Sequence, residues 1–90
     1  MRFEWDEQKR LSNIARHAID FLLASKLFDG RLRLDLDSPR GNEQRILSIG
    51  QLGNKLVAIA WTLRGRDVAR IISARRARHE EERAYRQLHN

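Results

Sequence analysis

The chain has 90 residues and no cysteine, and its 18 Lys and Arg outnumber its 12 Asp and Glu to give a formal net charge of +6. A chain of this length can form one domain with a modest core, so we expect a single domain over residues 1–90 and polyanionic partners for its surplus positive charge. The composition excludes disulfides, and no apolar run or signal-type segment predicts a membrane span or export. The cytoplasm is therefore the expected location.

The first third of the chain predicts a short strand and two helices. Arg2–Trp5 alternates polar and apolar residues, which is typical of a short edge strand. A helix is predicted over Glu7–His17, with Asp6 as its N-cap. Its expected buried stripe consists of Leu11, Ile14, Ala15 and Ala18. A second helix is predicted to follow the N-cap Asp20 and to end at Asp29-Gly30. Its expected buried residues are Phe21, Ala24, Leu27 and Phe28.

The rest of the chain predicts four strands followed by a helix. Strict alternation predicts a strand over 31–37 with its leucines on one face: Leu32, Leu34 and Leu36. Further strands are predicted over 43–52, 55–63 and 68–74, and the second of these is apolar enough to lie in the middle of a sheet. A helix with a thin apolar stripe is predicted over 76–89. We therefore expect an α+β fold with a four-stranded antiparallel sheet, two N-terminal helices, a C-terminal helix and the N-terminal segment as a candidate fifth strand.

An arginine-rich stretch follows the strand predicted over 55–63. Fifteen of the 18 basic residues are arginine, whose planar fork binds phosphate at two points. Six of them lie close together in the sequence: Arg64, Arg66, Arg70, Arg75, Arg76 and Arg78. Only Asp67 offers a compensating negative charge within this stretch. The cluster predicts a surface that binds RNA phosphates, and a merely solvated face is the alternative.

The strand predicted over 68–74 decides how these arginines are displayed. Strict alternation places Ile71 and Ser73 on one face, and Arg70 and Ile72 on the other. Which of the two faces is open to solvent does not follow from the alternation.

Two side chains are candidates for proton transfer. His17, at the end of the first predicted helix, can serve as a general acid or base, with a helix-capping role as the alternative. Tyr85 offers a ring for base stacking and a hydroxyl for proton transfer, with core packing as the alternative. His79 and His89 lie in a polar helix and are expected to be solvated. No spacing of His, Cys and acidic residues is typical of a metal site, so neither a metal nor another cofactor is expected.

Four blocks of sequence, spread over nearly the whole chain, carry a family resemblance. They are Phe3–Asp6 with Lys9, Asn13, His17 and Phe21; Glu43–Arg45 with Ile49-Gly50; Trp61–Gly65; and Arg70–Ala77 with Glu82, Arg83 and Tyr85. Together they resemble the BrnT toxins of bacterial type II toxin–antitoxin systems, and the last block is the most specific. Those toxins usually have Lys-His-Gly where this chain has Arg16-His17-Ala18, so we expect the first helix to end without a left-handed glycine cap.

The resemblance implies a RelE-like fold and a growth-inhibiting endoribonuclease that needs no metal. In such nucleases the 2′-hydroxyl of the RNA attacks the phosphate, while basic side chains stabilise the added negative charge. Carried onto this chain, the resemblance assigns phosphate stabilisation to Arg64, Arg70 and Arg75, and proton transfer to His17 or Tyr85. Further RNA contacts are expected from Arg45, Arg66, Arg76 and Arg78.

The resemblance also implies a protein partner. The expected partner is a BrnA-like antitoxin with a ribbon-helix-helix domain, which neutralises the toxin, and promoter DNA is expected to be bound only by the complex. Two other functions stay open on the residues alone. One is a basic nucleic-acid-binding module without catalysis, whose binding falls steeply with salt. The other is a regulatory protein whose weakly apolar last helix is covered by a partner.

Overall fold

The computed structural model describes residues 1–88 as five strands packed with three α-helices and a 3-10 helix. The strands are β1 (Arg2–Glu4), β2 (Arg33–Asp37), β3 (Ile46–Leu52), β4 (Lys55–Arg64) and β5 (Val68–Arg76). The helices are α1 (Glu7–His17), α2 (Phe21–Ala24), which continues as the 3-10 helix Ser25–Phe28, and α3 (His79–Leu88). Within residues 1–88, no helix is long and apolar enough to cross a membrane.

The strands form one sheet in the order β1-β5-β4-β3-β2. Strands β2 to β5 pair antiparallel in chain order, which confirms the predicted four-stranded sheet. The candidate fifth strand is real as well, since β1 pairs with β5 in parallel. As predicted, β4 is central, and its residues Leu56–Ile59 are buried. The α+β prediction is therefore confirmed, with one parallel pair added to the sheet.

Several element bounds differ from the predictions by two or three residues. Strand β2 begins at Arg33, so Leu32 precedes it and is 65% exposed. Strand β3 begins at Ile46, because the preceding segment forms only an isolated bridge between Arg40 and Glu43. Helix α3 begins at His79, and its predicted end at residue 89 lies outside the described residues. No residue of α3 is buried, which agrees with its thin apolar stripe.

One face of the sheet, the core face, carries the main hydrophobic core. Its buried residues include Val57, Ile59, Trp61, Ile71 and Ala74. Against them pack Phe21, Ala24 and Leu27, which are fully buried as predicted, because the spacing of three puts them on one helical face. Leu27 lies so close to Gly50 that a Cβ at that position would overlap its Cδ1 atom. Only glycine fits there without repacking.

Helix α1 packs by a polar residue instead of the predicted apolar stripe. Leu11 is 48% exposed, whereas Asn13 is only 6% exposed. The Asn13 amide nitrogen donates to the carbonyl oxygens of Ile19 and Ala74, both at 2.8 Å, and its oxygen accepts from the Ala74 N–H at 3.1 Å. Beyond Arg70, β5 has no neighbouring strand on this side, so Asn13 satisfies backbone groups that a strand would otherwise pair. The predicted stripe was wrong for Leu11, Ala15 and Ala18, which are exposed, whereas Ile14 is half-buried.

Both predicted N-caps of these helices are confirmed, and the end of α1 differs from the expectation. Asp6 accepts from the Gln8 N–H at 2.8 Å, and Asp20 accepts from the Leu22 N–H at 3.0 Å. Ala18 adopts a left-handed conformation with φ 58° and ψ 30°, and its N–H donates to the Ile14 carbonyl. The left-handed cap therefore forms without glycine, at a steric cost of about 1 kcal/mol for the alanine Cβ.

A β-bulge in β5 changes which residues share a face. Trp61 lies opposite Ile71, but the preceding residue Ala60 lies opposite Ser73, so Ile72 is an extra residue. Residues directly opposite one another share a face of the sheet. Ile71 therefore points to the core face and Ser73 to the other, which we call the groove face. The prediction that these two residues share a face was wrong, because an alternating sequence pattern does not reveal where a strand contains an extra residue.

Candidate nucleic-acid interface

The bulge brings Arg70 and Arg75 to the groove face together. Arg70 lies opposite Thr62, and Arg75 lies opposite Ala58. Thr62 and Ala58 both alternate with the core-face residues of β4, so both arginines project away from the core. Arg64 follows Thr62 by two residues and shares its face. All three arginines expected to stabilise phosphate therefore project from the groove face.

A depression of about 350 Å³, which we call the arginine groove, opens on this face. Strands β3 to β5 contribute Leu47, Ala60 and Ser73 to its lining. Its charged lining residues are Arg40, Arg45, Arg75, Arg78 and Glu81. With four arginines against a single carboxylate among these lining residues, the groove attracts anions.

Arg75 is held in the groove by Glu81 of α3. The two side chains form a bidentate pair, with Nη1 to Oε1 at 2.9 Å and Nη2 to Oε2 at 3.0 Å. Glu81 is 11% exposed and also accepts the backbone N–H of Arg78 at 2.8 Å. The hydrogen bond from Arg75 lowers the pKa of Glu81 against the opposing effect of burial. The pair therefore orients the Arg75 guanidinium and ties the start of α3 to the sheet.

The other arginines on this face differ in how their charge is balanced. The Nε atom of Arg45 lies 2.6 Å from Glu43 Oε1, and this contact lowers the pKa of Glu43, with Arg64 adding to the effect. Arg70 pairs with Glu4 of β1 at 2.8 Å. Within residues 1–88, no salt bridge involves Arg40, so its positive charge stays available to a ligand.

A second depression of about 270 Å³, the α1 pocket, lies between α1 and the free edge of β5. The half-buried His17 lines it, and its other lining residues are Lys9, Ser12, Asn13, Arg16, Ile72 and Ser73. Ser73 also lines the arginine groove, so the two depressions meet at this residue. The structure thereby places His17 beside the arginine groove.

Five predicted site residues line neither depression: Arg64 and Arg70, although they project from the groove face, and Arg66, Arg76 and Tyr85. Arg66 is exposed in the turn between β4 and β5. Arg76 lies opposite Val57, and therefore on the side of the core face, where it is exposed at the strand end. Tyr85 is half-buried on α3, one turn after Glu81 and on the same side of the helix. Their predicted roles in RNA binding and proton transfer stay predictions.

Among the groove-lining residues that sequence reasoning did not select are Ser73, Arg40 and Glu81. Strict alternation placed Ser73 on the face opposite to Arg70, because the bulge is invisible in the sequence. Arg40 lies in a segment predicted as a loop, where only its charge distinguished it. Glu81 is the middle of three consecutive glutamates, and only the tertiary structure singles it out as the partner of Arg75.

The acidic and histidine side chains of the described residues are not clustered as metal ligands would be. Within residues 1–88, no group of three or more His, Cys, Asp or Glu side chains lies together in a way that could hold a metal ion.

The fold and the groove define a small basic α+β protein that can hold a polyanion against a sheet. A family model described as the ribonuclease toxin BrnT of type II toxin–antitoxin systems matches residues 5–81. The chain therefore belongs to the BrnT family of ribonuclease toxins, which confirms the resemblance read from its sequence blocks.

A solved structure supports the assignment. The crystal structure of the Brucella abortus ribonuclease toxin BrnT is 31% identical in sequence, with a TM-score of 0.67. The match covers 88% of this chain and 99% of the Brucella chain. No curated protein matches the chain significantly.

Proposed function

We propose that this protein cleaves RNA without a metal ion and that the reacting phosphate binds in the arginine groove. The observation that carries the proposal is the bidentate Arg75–Glu81 pair, which holds a guanidinium in fixed orientation among Arg40, Arg45 and Arg78. The 2′-oxygen of the RNA forms a bond to phosphorus, and the bond to the 5′-oxygen of the next nucleotide breaks. The products are a 2′,3′-cyclic phosphate and a 5′-hydroxyl.

The electrostatic demand of this reaction fits the groove. Attack by the 2′-oxygen places extra negative charge on the oxygens around phosphorus, and donors already oriented toward that charge lower the barrier by several kcal/mol. Glu81 fixes Arg75, and Glu43 fixes Arg45, so neither side chain must be ordered during the reaction. Phosphate binding competes with the carboxylates, but it leaves the arginine stems in place.

Proton transfer is the second requirement, because the 2′-hydroxyl loses a proton and the leaving 5′-oxygen gains one. We assign this role to His17, because an imidazole can act as a general acid or base and His17 lines the α1 pocket, which meets the groove at Ser73. Tyr85 is the alternative, since its hydroxyl belongs to the side of α3 that carries Glu81. A His17→Gln variant separates the two, because it loses cleavage only if the imidazole acts.

A type II system pairs its toxin with an antitoxin, and we propose that the antitoxin here is a BrnA-like ribbon-helix-helix protein. The complex would then bind promoter DNA through the antitoxin. In support, α3 contributes no buried residue and Leu88 is 55% exposed, so the helix leaves apolar surface for a partner. Coexpression with the protein encoded next to this gene tests the pairing by copurification and by rescue of growth.

The direct test of the activity uses the purified protein without a partner. Single-stranded RNA should be cut in the presence of a chelator, and the products should end in a cyclic phosphate. Substitution of 2′-deoxynucleotides should block cleavage at the sites where they are placed, because the attacking oxygen is removed. Intact RNA after long incubation, with tight binding retained, would favour a nucleic-acid-binding module without catalysis.

A further inference from the structure

We propose that the α1 pocket is a second phosphate subsite, which holds the RNA backbone next to the phosphate in the arginine groove. This inference rests on the proposed function for the identity of the strand. Within residues 1–88, no salt bridge involves the cations of this pocket, Lys9 and Arg16, and that observation starts the argument.

The pocket-facing side of α1 is a polar stripe with helical spacing. Lys9, Ser12, Asn13 and Arg16 follow one another at intervals of three, one and three residues, so they share one side of the helix. Asn13 alone binds the protein, through its three hydrogen bonds to the backbone. A stripe at this spacing usually packs on a core, whereas here it faces a cavity.

The two cations of the stripe have no ion-pair partner. Within residues 1–88, neither Lys9 nor Arg16 forms a salt bridge, although the adjacent Arg10 pairs with both Glu7 and Asp20. Lys9 is the weakest of the influences that lower the pKa of Glu43, and both cations of the stripe are exposed, so most of their charge is solvated and available. Their placement on either side of Ser12 surrounds the cavity with groups that bind phosphate oxygens.

The remaining lining residues favour an anion of about nucleotide size. The hydroxyl groups of Ser12 and Ser73 can donate to phosphate oxygens, and the side chain of Ile72 provides apolar surface for a sugar. Ile72 is the extra residue of the β-bulge, so the same irregularity that turns Ser73 to the groove face shapes this pocket. The volume of about 270 Å³ lies below the range of about 300–1,000 Å³ typical of larger ligands.

The shared lining at Ser73 determines how the two sites work together. A strand with one phosphate among the groove arginines passes Ser73 and can place a neighbouring phosphate between Lys9 and Arg16. His17 then lies beside the backbone between the two phosphates, where the 2′-hydroxyl or the leaving oxygen must be. The subsite would thus set the register of the RNA in the reaction centre.

The test compares two double variants that each remove two exposed positive charges. Lys9→Gln with Arg16→Gln empties the subsite, and Lys26→Gln with Lys55→Gln is the matched control away from both depressions. Binding is measured by fluorescence anisotropy with a single-stranded 2′-O-methyl RNA, which cannot be cleaved. The subsite variant should bind about tenfold more weakly at low salt. Its plot of log affinity against log salt should lose about 0.7 in slope, the contribution of one phosphate.

The outcomes separate this inference from the proposed function. If the two double variants lose the same affinity, the subsite is overturned. The proposed function would still stand in that case, because it is tested by cleavage of RNA by the wild-type protein. Binding of the 2′-O-methyl RNA that depends on Lys9 and Arg16, together with no cleavage of ordinary RNA, would support the subsite and refute the nuclease. Absence of any binding by the wild-type protein would also overturn the subsite.

Discussion

Arg70 and Arg75 project from the same face of the sheet although they are five residues apart in one strand. In a regular strand an odd separation places two side chains on opposite faces. The extra residue Ile72 restores them to one face, so the bulge is what makes a common anion-binding surface possible. Bulges often occur beside functional sites, and here the effect is to direct Arg75 into the groove.

Arg75 should matter far more for cleavage than its neighbour Arg76, which the sequence predicts only as an RNA contact. We expect Arg75→Gln to reduce the rate of RNA cleavage by about 100-fold or more, because an oriented donor to the developing charge is lost. Arg76→Gln removes the same charge from the opposite face and is the matched control. The measurements are initial cleavage rates and inhibition of growth.

The same experiment needs a control for folding. Loss of Arg75 leaves Glu81 without its partner at a site where that carboxylate is 11% exposed, which can destabilise the protein. The double variant Arg75→Gln with Glu81→Gln removes that charge. If it is folded by circular dichroism and cleaves RNA at the wild-type rate, Arg75 is not part of the reaction centre.

Asn13 should be a major stabilising residue despite its polarity. Asn13→Ala removes three hydrogen bonds and leaves backbone groups of Ile19 and Ala74 unsatisfied. We expect the free energy of unfolding to fall by about 3 kcal/mol. The control is Ser12→Ala at the neighbouring exposed residue, which should change the free energy of unfolding by less than about 0.5 kcal/mol. Urea denaturation measures both, and a small effect of Asn13→Ala would mean that β5 holds its edge without the amide.

The left-handed end of α1 predicts a stabilising substitution. Ala18→Gly should raise the free energy of unfolding by about 0.5–1 kcal/mol, because glycine relieves the steric cost of a φ of 58°. Ala15→Gly, within the last turn of the same helix and also exposed, should instead lower the free energy of unfolding by up to about 1 kcal/mol. In thermal unfolding, Tm should rise for Ala18→Gly and fall for Ala15→Gly. Shifts of Tm with the same sign would contradict the left-handed cap at Ala18.

The Arg75–Glu81 pair predicts how stability changes with pH. Its effect is to lower the pKa of Glu81 in the folded state below the ordinary value of 4.5, so the unfolded chain binds this proton more readily. The stabilisation is therefore fully present above pH 4.5 and is lost as the pH falls through the lowered pKa.

The difference between wild type and Glu81→Gln isolates this effect. The two stability curves, measured by urea denaturation, should converge as the solution becomes acidic, with Glu80→Gln as a control that stays parallel to wild type. Other paired acids, such as Asp29 with its pKa of about 2 beside Arg31, contribute equally to each protein and cancel in the difference. A constant gap between wild type and Glu81→Gln across this range would contradict the pairing.

Local sequence patterns were sufficient wherever the contacts that decide a structure are local. Asp6 and Asp20 cap helices through backbone groups two residues away, and Phe21 and Leu27 are buried by helical periodicity. The chemistry of the site was also visible in part, because the arginine excess needs no folding to be counted. The periodicity of α1 did not reveal that Asn13 is buried, because its decisive partner, Ala74, lies 61 residues further along the chain.

The sequence by itself determined the order of elements, the basic character of the surface and the resemblance to the BrnT toxins, since periodicity, charge and motif are properties of neighbouring residues. Only the tertiary structure decided which arginines meet. The bulge at Ile72 sets the faces of Arg70, Ser73 and Arg75, and the approach of α3 gives Arg75 its partner Glu81. Strand register and helix docking are settled by packing across the whole sheet, and the groove and the α1 pocket exist only after both are in place.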